Sequence, residues 1–312
     1  MELIALRLFD HIAESGSFTA AATHFRLAVS TVSRQVGALE EEVGQRLLHR
    51  HTRAVSLTES GRVFHDEVRE VLRRLDQAAE TVASQQGMPS GLLRVNAPVT
   101  FGRRHLIPFL ADFQRRYPGL KIDLVLSDVF SDPIQGGTDV TLRVGTLADS
   151  TLSARQLAPL HFRVCATPDY LERFGVPESP ADLAAHNCLV YRGVRGLQYW
   201  YMRERHARDW QEVSVDGDLH CNDADALLAA GLEHRGLMMF PTWVVHRELG
   251  NGALRPVLED WEASTEPTPT AMHFVFPSNR LRAPKVALFM DAFREYVGEP
   301  PYWDAARPDA PG

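Results

Sequence analysis

"FTAAATHFRLAVSTVSRQVGALEEEVG", residues 18–44, reads as two helices separated by a tight gap. The first, Thr19 to about Phe25, carries Ala20, Ala21 and Ala22, whose small side chains let a neighbouring helix approach closely. Ser17 or Thr19 can cap its start. The second spans roughly Ser30 to Val43, with Val32, Val36, Leu39 and Val43 forming one apolar stripe. Gly44 ends it. With that stripe turned inward, Val29, Ser30, Ser33, Arg34 and Gly37 fall mainly on the other side.

The segments on either side extend this unit. Residues 3–14 form a helix by pattern, with Leu6, Phe9, Ile12 and Ala13 on one face and a stop at Gly16. Residues 47–57, "LLHRHTRAVSL", contain two short β-prone pieces around a basic tip. Between Gly44 and Arg62 stand Arg46, Arg50, Arg53 and Arg62 against the single acid Glu59. Two helices in tandem followed by a basic hairpin are the ingredients of a helix-turn-helix with a wing. In such a unit the second helix lies in the DNA major groove. Ser33 and Arg34 then reach base edges or phosphate, and Val29 meets a thymine methyl. Arg50 and Arg53 suit flanking phosphates, contacts that position without reading sequence. His49 and His51 suit phosphate or solvent better than a metal. An ordinary three-helix bundle with a solvated polar face fits the same pattern.

From Thr58 a long helix runs to about Ser84. Phe64, Val68, Val71, Leu75, Ala78 and Val82 alternate spacings of four and three, a short heptad seam. It serves either as a dimerisation surface or as packing within its own domain. "QQGMPSG", residues 85–91, reads as a linker. Beyond it strands and helices alternate, from the strand at Leu93–Ala97 to a last helix through Phe289, Phe293 and Tyr296. This alternation predicts an α/β domain with a mostly parallel sheet. The tail "EPPYWDAARPDAPG", residues 299–312, is expected to be disordered.

The bulk numbers add limits. The 312 residues suggest two domains, and 45% apolar with 23% charged residues is ordinary for a soluble protein. The net charge of −7 creates no global positive field, so any nucleic-acid contact rests on the local arginines. Three widely spaced cysteines, Cys165, Cys188 and Cys221, suggest neither a disulfide framework nor a zinc site. No signal peptide or membrane span is visible, which points to the cytoplasm. The thirteen histidines show no metal-binding spacing. GxSxG, P-loop and GxGxxG patterns are absent, so an enzyme is disfavoured. A solute-binding protein with a helical head is a further alternative, disfavoured by the basic wing and the lack of an export signal.

"GSFTAAA" (residues 16–22), "VSRQVGALEEEVGQRLLHR" (32–50) and "SLTESG" (56–61) resemble the N-terminal domain of LysR-type transcriptional regulators, in matching order and spacing. The resemblance extends over about residues 2–298. In the C-terminal part, "RVNAPVTFGRRHLIPFLADFQRRYPGLKIDLVLSD" (94–128) and "DVTLRVGTLADSTLSARQLAP" (139–159) look like the branch typified by regulators of small organic acid metabolism. The resemblance implies a winged helix-turn-helix over 1–59, with the motif near 19–38, and a linker helix over 58–86 that pairs two subunits. It implies a periplasmic-binding-protein-like effector domain over 92–298. Subdomain I would comprise 92–161 and 267–298, and subdomain II 162–266. Expected partners are a double-stranded DNA operator, a second copy in a dimer or a dimer of dimers, and RNA polymerase. No cofactor or metal is implied beyond a small-molecule effector. The chain departs from the family at Ala28, where relatives carry a capping Ser or Thr, although Ser30 can take over. Val29 stands where Gln or Pro is common, and Gly37 sits in mid-helix.

In that fold the effector cleft lies between the subdomains, where helix starts offer free N–H groups to an anion such as a carboxylate. The resemblance places Val99, Thr100, Phe101, Asn222 and Asp223 along it, with Arg143, Pro241 and Thr242 as further candidates. Asp223 either faces the cleft or caps its own helix. Cys221, beside the cleft, is either a redox-sensitive thiol or an inert one.

Overall fold

The structure is a computed structural model that describes residues 1–50, 55–84, 89–129, 137–145, 152–193, 196–277 and 283–305. The chain divides into two units, one formed by Met1–Met88 with Ile134–Gly137 and the other by Pro89–Pro133 with Thr138–Gly312.

The first unit opens with α1 (Leu3–Ser15), which buries Leu6, Leu8, Phe9 and Ile12. Gly16 ends it in the left-handed conformation, φ 65°. Ser17 then caps α2 (Phe18–Phe25) by accepting a hydrogen bond from the Ala20 N–H at 3.2 Å. The helix therefore starts at Phe18, one residue before the expected Thr19. Ala21 and Ala22 are buried where α2 packs on its neighbours. The stripe of α3 (Val29–Val43) is as expected, with Val32, Val36 and Leu39 buried. Its start is not: Ala28 is the N-cap and supplies no side-chain bond. Ser30 does not take over, because the helix has already begun at Val29 and the Thr31 and Val32 N–H groups turn to the Ala28 carbonyl.

The wing is β1 (Leu48–Arg50) paired antiparallel with β2 (Val55–Leu57). Glu40, on α3, accepts from the Leu47 and Leu48 N–H groups at 2.9 and 3.1 Å and pins the strand's entry. The long helix α4 (Glu59–Ser84) is capped by Thr58, whose hydroxyl oxygen accepts from the Gly61 N–H at 2.9 Å. The same hydroxyl donates to the Arg46 carbonyl. Gly61 is required here, since a Cβ would lie 2.0 Å from the Leu47 carbonyl oxygen.

The heptad seam of α4 divides along its length. Phe64 packs against Phe9, ring centroids 5.7 Å apart, and Val68 and Leu72 are buried in this unit's own core. Phe64 and Val68 are thus intradomain residues, a correction to the expectation that they face a partner. They sit beside α1, which covers them. Val71 and Leu75 form the neighbouring row, beside the buried Phe64–Val68–Leu72 row, and are exposed at 54% and 43%. The side chain of Val82 lies outside the described residues.

The second unit holds two mixed sheets. Its elements in order are β3 (Gly91–Ala97), α5 (Val99–Phe101), a π-helical turn (Gly102–Leu106), α6 (Ile107–Arg116), β4 (Leu120–Leu126), β5 (Val140–Val144), β6 (Leu152–Pro159) and β7 (Phe162–Ala166). There follow α7 (Pro168–Phe174), a 3₁₀ turn (Pro180–Ala185), β8 (Cys188–Gly193), β9 (Gly196–Leu197), β10 (Trp200–Glu204), β11 (Gln211–Val213) and β12 (His220–Cys221). The last are α8 (Ala224–Leu232), β13 (Leu237–Pro241), α9 (Thr242–Gly250), β14 (Arg255–Val257), β15 (Trp261–Ser264), β16 (Ala271–Pro277) and α10 (Pro284–Val297).

One sheet has the order β4-β3-β5-β16-β6, and the other β11-β10-β15-β7-β13-β8-β12 with β14 on β7 and β9 on β8. The sheets are not mostly parallel. β3 pairs parallel with β4 and β5, but β16 runs antiparallel to both β5 and β6. The cause is the chain's path: β6 leaves for the second sheet and β16 brings it back beside the exit. In the second sheet β8, β12 and β13 are parallel, while β10, β11 and β15 form an antiparallel meander.

The C-terminal segment departs from expectation. Residues 299–305 are folded onto this unit rather than disordered. Trp303 is buried, and its ring lies edge-on to Phe101. Tyr302 bonds His105, and Asp304 bonds His161. Two aromatic side chains in a short segment bring enough apolar area to hold it down. Residues 306–312 lie outside the described residues.

Candidate nucleic-acid interface and effector cleft

The outward face of α3 is set by its buried stripe. Val29 is 44% exposed and Ser30 and Arg34 are exposed, while Ser33 is half-buried beside them. Helical spacing of three and four places Ser30, Ser33, Arg34 and Gly37 in one strip along that face. Arg46 and Arg62 are exposed near the wing, at the start of β1 and in the first turn of α4. Arg50 ends β1, with its side chain outside the described residues, as is the whole of Arg53. Sequence reasoning missed Arg26. It is exposed in the turn between α2 and α3 and is held left-handed at φ 56°, where glycine or asparagine is usual. This arrangement offers polar and apolar groups at a helix front with cations on either side. It can meet the edges and phosphates of a duplex.

In the second unit the residues expected to line a cleft fall into two groups. Thr100, Phe101, Pro241 and Thr242 are buried. Phe101 is fully buried, edge-on to Trp243 at 5.3 Å, so it is a packing residue. Thr242 opens α9; its N–H donates to the His161 carbonyl, and its hydroxyl has no partner among the described residues. Val99, Arg143 and Asp223 are half-buried, and Asn222 is exposed. Arg143 faces His273 across the β5–β16 pair.

The helix starts proposed for an anion are occupied by the chain's own carboxylates. The Val99 N–H at the start of α5 donates to Asp128 at 3.1 Å. Asp223 is the N-cap of α8, accepting from the Ala226 N–H at 2.9 Å. Capping is therefore the role that Asp223 takes. Both carboxylates lie close to the Tyr191 hydroxyl, whose pKa is pushed up to about 12, first by burial and then by Asp128 and Asp223. A carboxylate ligand at either helix start would meet a like charge.

A bridge that sequence reasoning missed joins α5 and the π turn to α8 and α9. Thr100 donates its hydroxyl to Asp225 at 3.2 Å, and Arg104 donates to Asp225 at 2.9 Å and to the Val244 carbonyl at 2.8 Å. Glu248 lies 3.5 Å from the same guanidinium. Next to it, buried His105 has Nε2 2.9 Å from the Trp243 carbonyl. A carbonyl can only accept, so Nε2 carries the proton and Nδ1 accepts from the Tyr302 hydroxyl. Burial holds the His105 pKa down at about 3, so the ring stays neutral.

The cysteines are free thiols. Burial pushes Cys165 and Cys188 up to about 12, which leaves them unreactive. Cys221 is half-buried in β12. Among the described residues no group of three or more His, Cys, Asp or Glu could hold a metal ion, and no helix is long and apolar enough to cross a membrane.

Comparison with known proteins matches these two units. Residues 3–62 fit the family model "Bacterial regulatory helix-turn-helix protein, lysR family", and residues 86–298 fit "LysR substrate binding domain". An HTH-type transcriptional regulator of Xanthomonas campestris is 37% identical over 288 residues, covering 91% of this chain and 82% of that protein. The HTH-type transcriptional activator AaeR of Escherichia coli is 32% identical over 84% of each chain. Among solved structures, CrgA of Neisseria meningitidis matches with a TM-score of 0.61 and 30% identity, over 94% of this chain and 98% of that one. The full-length virulence activator AphB of Vibrio cholerae matches with a TM-score of 0.61 and 28% identity, over 95% and 99%. A winged helix-turn-helix head, two linked α/β subdomains and these likenesses agree: the chain belongs to the LysR family of transcriptional regulators, with a DNA-binding N-terminal domain and an effector-binding C-terminal domain.

Proposed function

We propose that this regulator reads its operator through the front of α3. Val29, Ser30, Ser33 and Arg34 face the major groove, and Arg50 and Arg53 of the wing engage flanking phosphates. The observation that carries this reading is the exposure of Ser30 and Arg34 opposite the buried Val32–Val36–Leu39 stripe, with Val29 exposed at the helix's first residue. A second copy joins through α4, whose Val71 and Leu75 form an exposed apolar row beside the buried one. Val82 extends the same spacing. A dimer, or a dimer of dimers, presents two recognition helices to a two-fold site. The chain works where the chromosome is, in the cytoplasm, and acts on transcription by changing the access of RNA polymerase. It does so without catalysing a reaction.

A small-molecule effector enters between the two sheets of the C-terminal unit, near Thr100, Asn222 and Thr242. It shifts the regulator only through unequal affinity for two arrangements of that unit. The Arg104–Asp225–Glu248 bridge is the contact that differs between them. An organic acid would bind away from the starts of α5 and α8, because Asp128 and Asp223 already fill them.

A gel-shift assay with DNA from upstream of the chain's own coding region tests the reading. Arg34→Ala should lose specific retention while keeping the wild-type melting temperature. Arg50→Ala should weaken specific and non-specific binding alike and lower the salt dependence by about one phosphate contact. Unchanged retention by Arg34→Ala would refute the role of α3.

A further inference from the structure

Gly37 stands in the middle of α3, the least favourable ordinary place for a glycine. Three other glycines of the first unit have visible structural reasons. Gly16 and Gly44 adopt positive φ at helix ends, and Gly61 has no room for a Cβ. Gly37 has neither reason: its φ is not positive, and a Cβ added to it would meet nothing within 4 Å. The fold gains nothing from the missing side chain, and the helix is weaker for it.

Its position supplies the explanation. Gly37 lies three and four residues after Arg34 and Ser33, and seven after Ser30, so it continues the outward strip by one turn. A residue at that height lies on the same face as the groups that enter the groove, but farther from the helix front. There a helix that tilts into the groove brings its own backbone against the groove wall. Without a Cβ, the backbone can come closer to the wall.

Resting on the recognition role of α3, we propose that Gly37 is a specificity-determining position at which the α3 backbone comes into direct contact with operator DNA. The missing side chain sets the depth to which Ser33 and Arg34 reach. Helix stability is lost in the free protein, and a closer approach is gained in the complex.

The test is a series of Gly37→Ala and Gly37→Leu in the full chain, with Arg34→Ala alongside. Melting temperature, sedimentation and affinity for the upstream DNA fragment are measured for each. Both Gly37 variants should melt higher, by about 2–4 °C, because Ala and Leu are better helix formers. Both should bind the fragment more weakly, by about tenfold for Ala, the cost of one disturbed base-pair contact, and by more for Leu. Opposite signs in the two measurements distinguish a DNA contact from a folding defect. A lower melting temperature in Gly37→Ala would show that the fold itself needs the glycine and would overturn the proposal. So would a change in sedimentation without a change in affinity, which would mark a contact with a second copy. If Arg34→Ala loses affinity while both Gly37 variants bind as wild type, the Gly37 assignment alone fails. If all three bind as wild type, the recognition role of α3 fails with it.

Discussion

His161 and Asp304, 143 residues apart in the chain, meet in an ion pair, with the imidazole Nδ1 2.9 Å from the carboxylate. The hydrogen bond that His161 donates to Asp304 raises the imidazole pKa above its ordinary 6.5, with partial burial and Arg163 opposing the effect and Glu262 adding to it. A group whose pKa is raised by folding stabilises the fold fully below its unfolded value. That contribution is lost as pH rises through the folded value. The C-terminal segment should therefore be held most firmly below about pH 6.5 and less firmly above the raised value. Asp304→Asn should flatten this part of the pH–stability curve. Melting curves between pH 5.5 and 8.5 check it, and a wild-type curve matching that of Asp304→Asn would contradict it.

Trp303 gives a larger effect. It is buried against Phe101 and His105, with its indole N–H unpartnered among the described residues. Trp303→Ala should cost about 3–5 kcal/mol in the C-terminal unit. Trp303→Phe should cost much less, because no hydrogen bond is lost. Truncation after Ala305 should cost little, and truncation after Gly298 at least as much as Trp303→Ala. Urea titrations of the four proteins would rank them.

The bare N-cap of α3 is a site for gain. Ala28→Ser places a hydroxyl where Ser17 serves α2, so the first unit should gain roughly 0.5–2 kcal/mol. No gain on chemical denaturation would mean that the turn at Arg26 holds Ala28 away from capping geometry.

Self-association through α4 is tested by charge. Val71→Lys and Leu75→Lys together put two cations on the exposed row beside the buried Val68 and Leu72. The double variant should sediment as monomer at concentrations where the wild type is dimeric, with little change in the melting of the first unit. A dimer of undiminished strength would move the interface elsewhere.

Local periodicity made much of this legible in the sequence. The stripes of α1 and α3, the strand at Leu93–Ala97 and the helix of Phe289 and Phe293 each follow from residues within one element. Contacts between distant residues were not legible. Arg104 and Asp225 are 121 residues apart, and nothing near either names the other. The same holds for Val99 and Asp128, whose meeting engages one of the N–H groups expected to face an anion. Residues 299–305 were misread because the segment's Pro, Asp and Ala content outweighed two aromatics whose pocket is built from remote helices. The heptad on α4 was correct as a spacing, yet spacing alone cannot say where one domain's cover ends and a partner's begins.

Two copies of α3 are proposed to enter adjacent major grooves of one operator, and DNase I footprinting of the upstream fragment with the intact protein tests this directly. The expected pattern is two protected blocks on one face of the duplex, separated by whole helical turns of about 10 base pairs, both absent with Arg34→Ala. A single unpaired block, or equal protection by the wild type and Arg34→Ala, would contradict it.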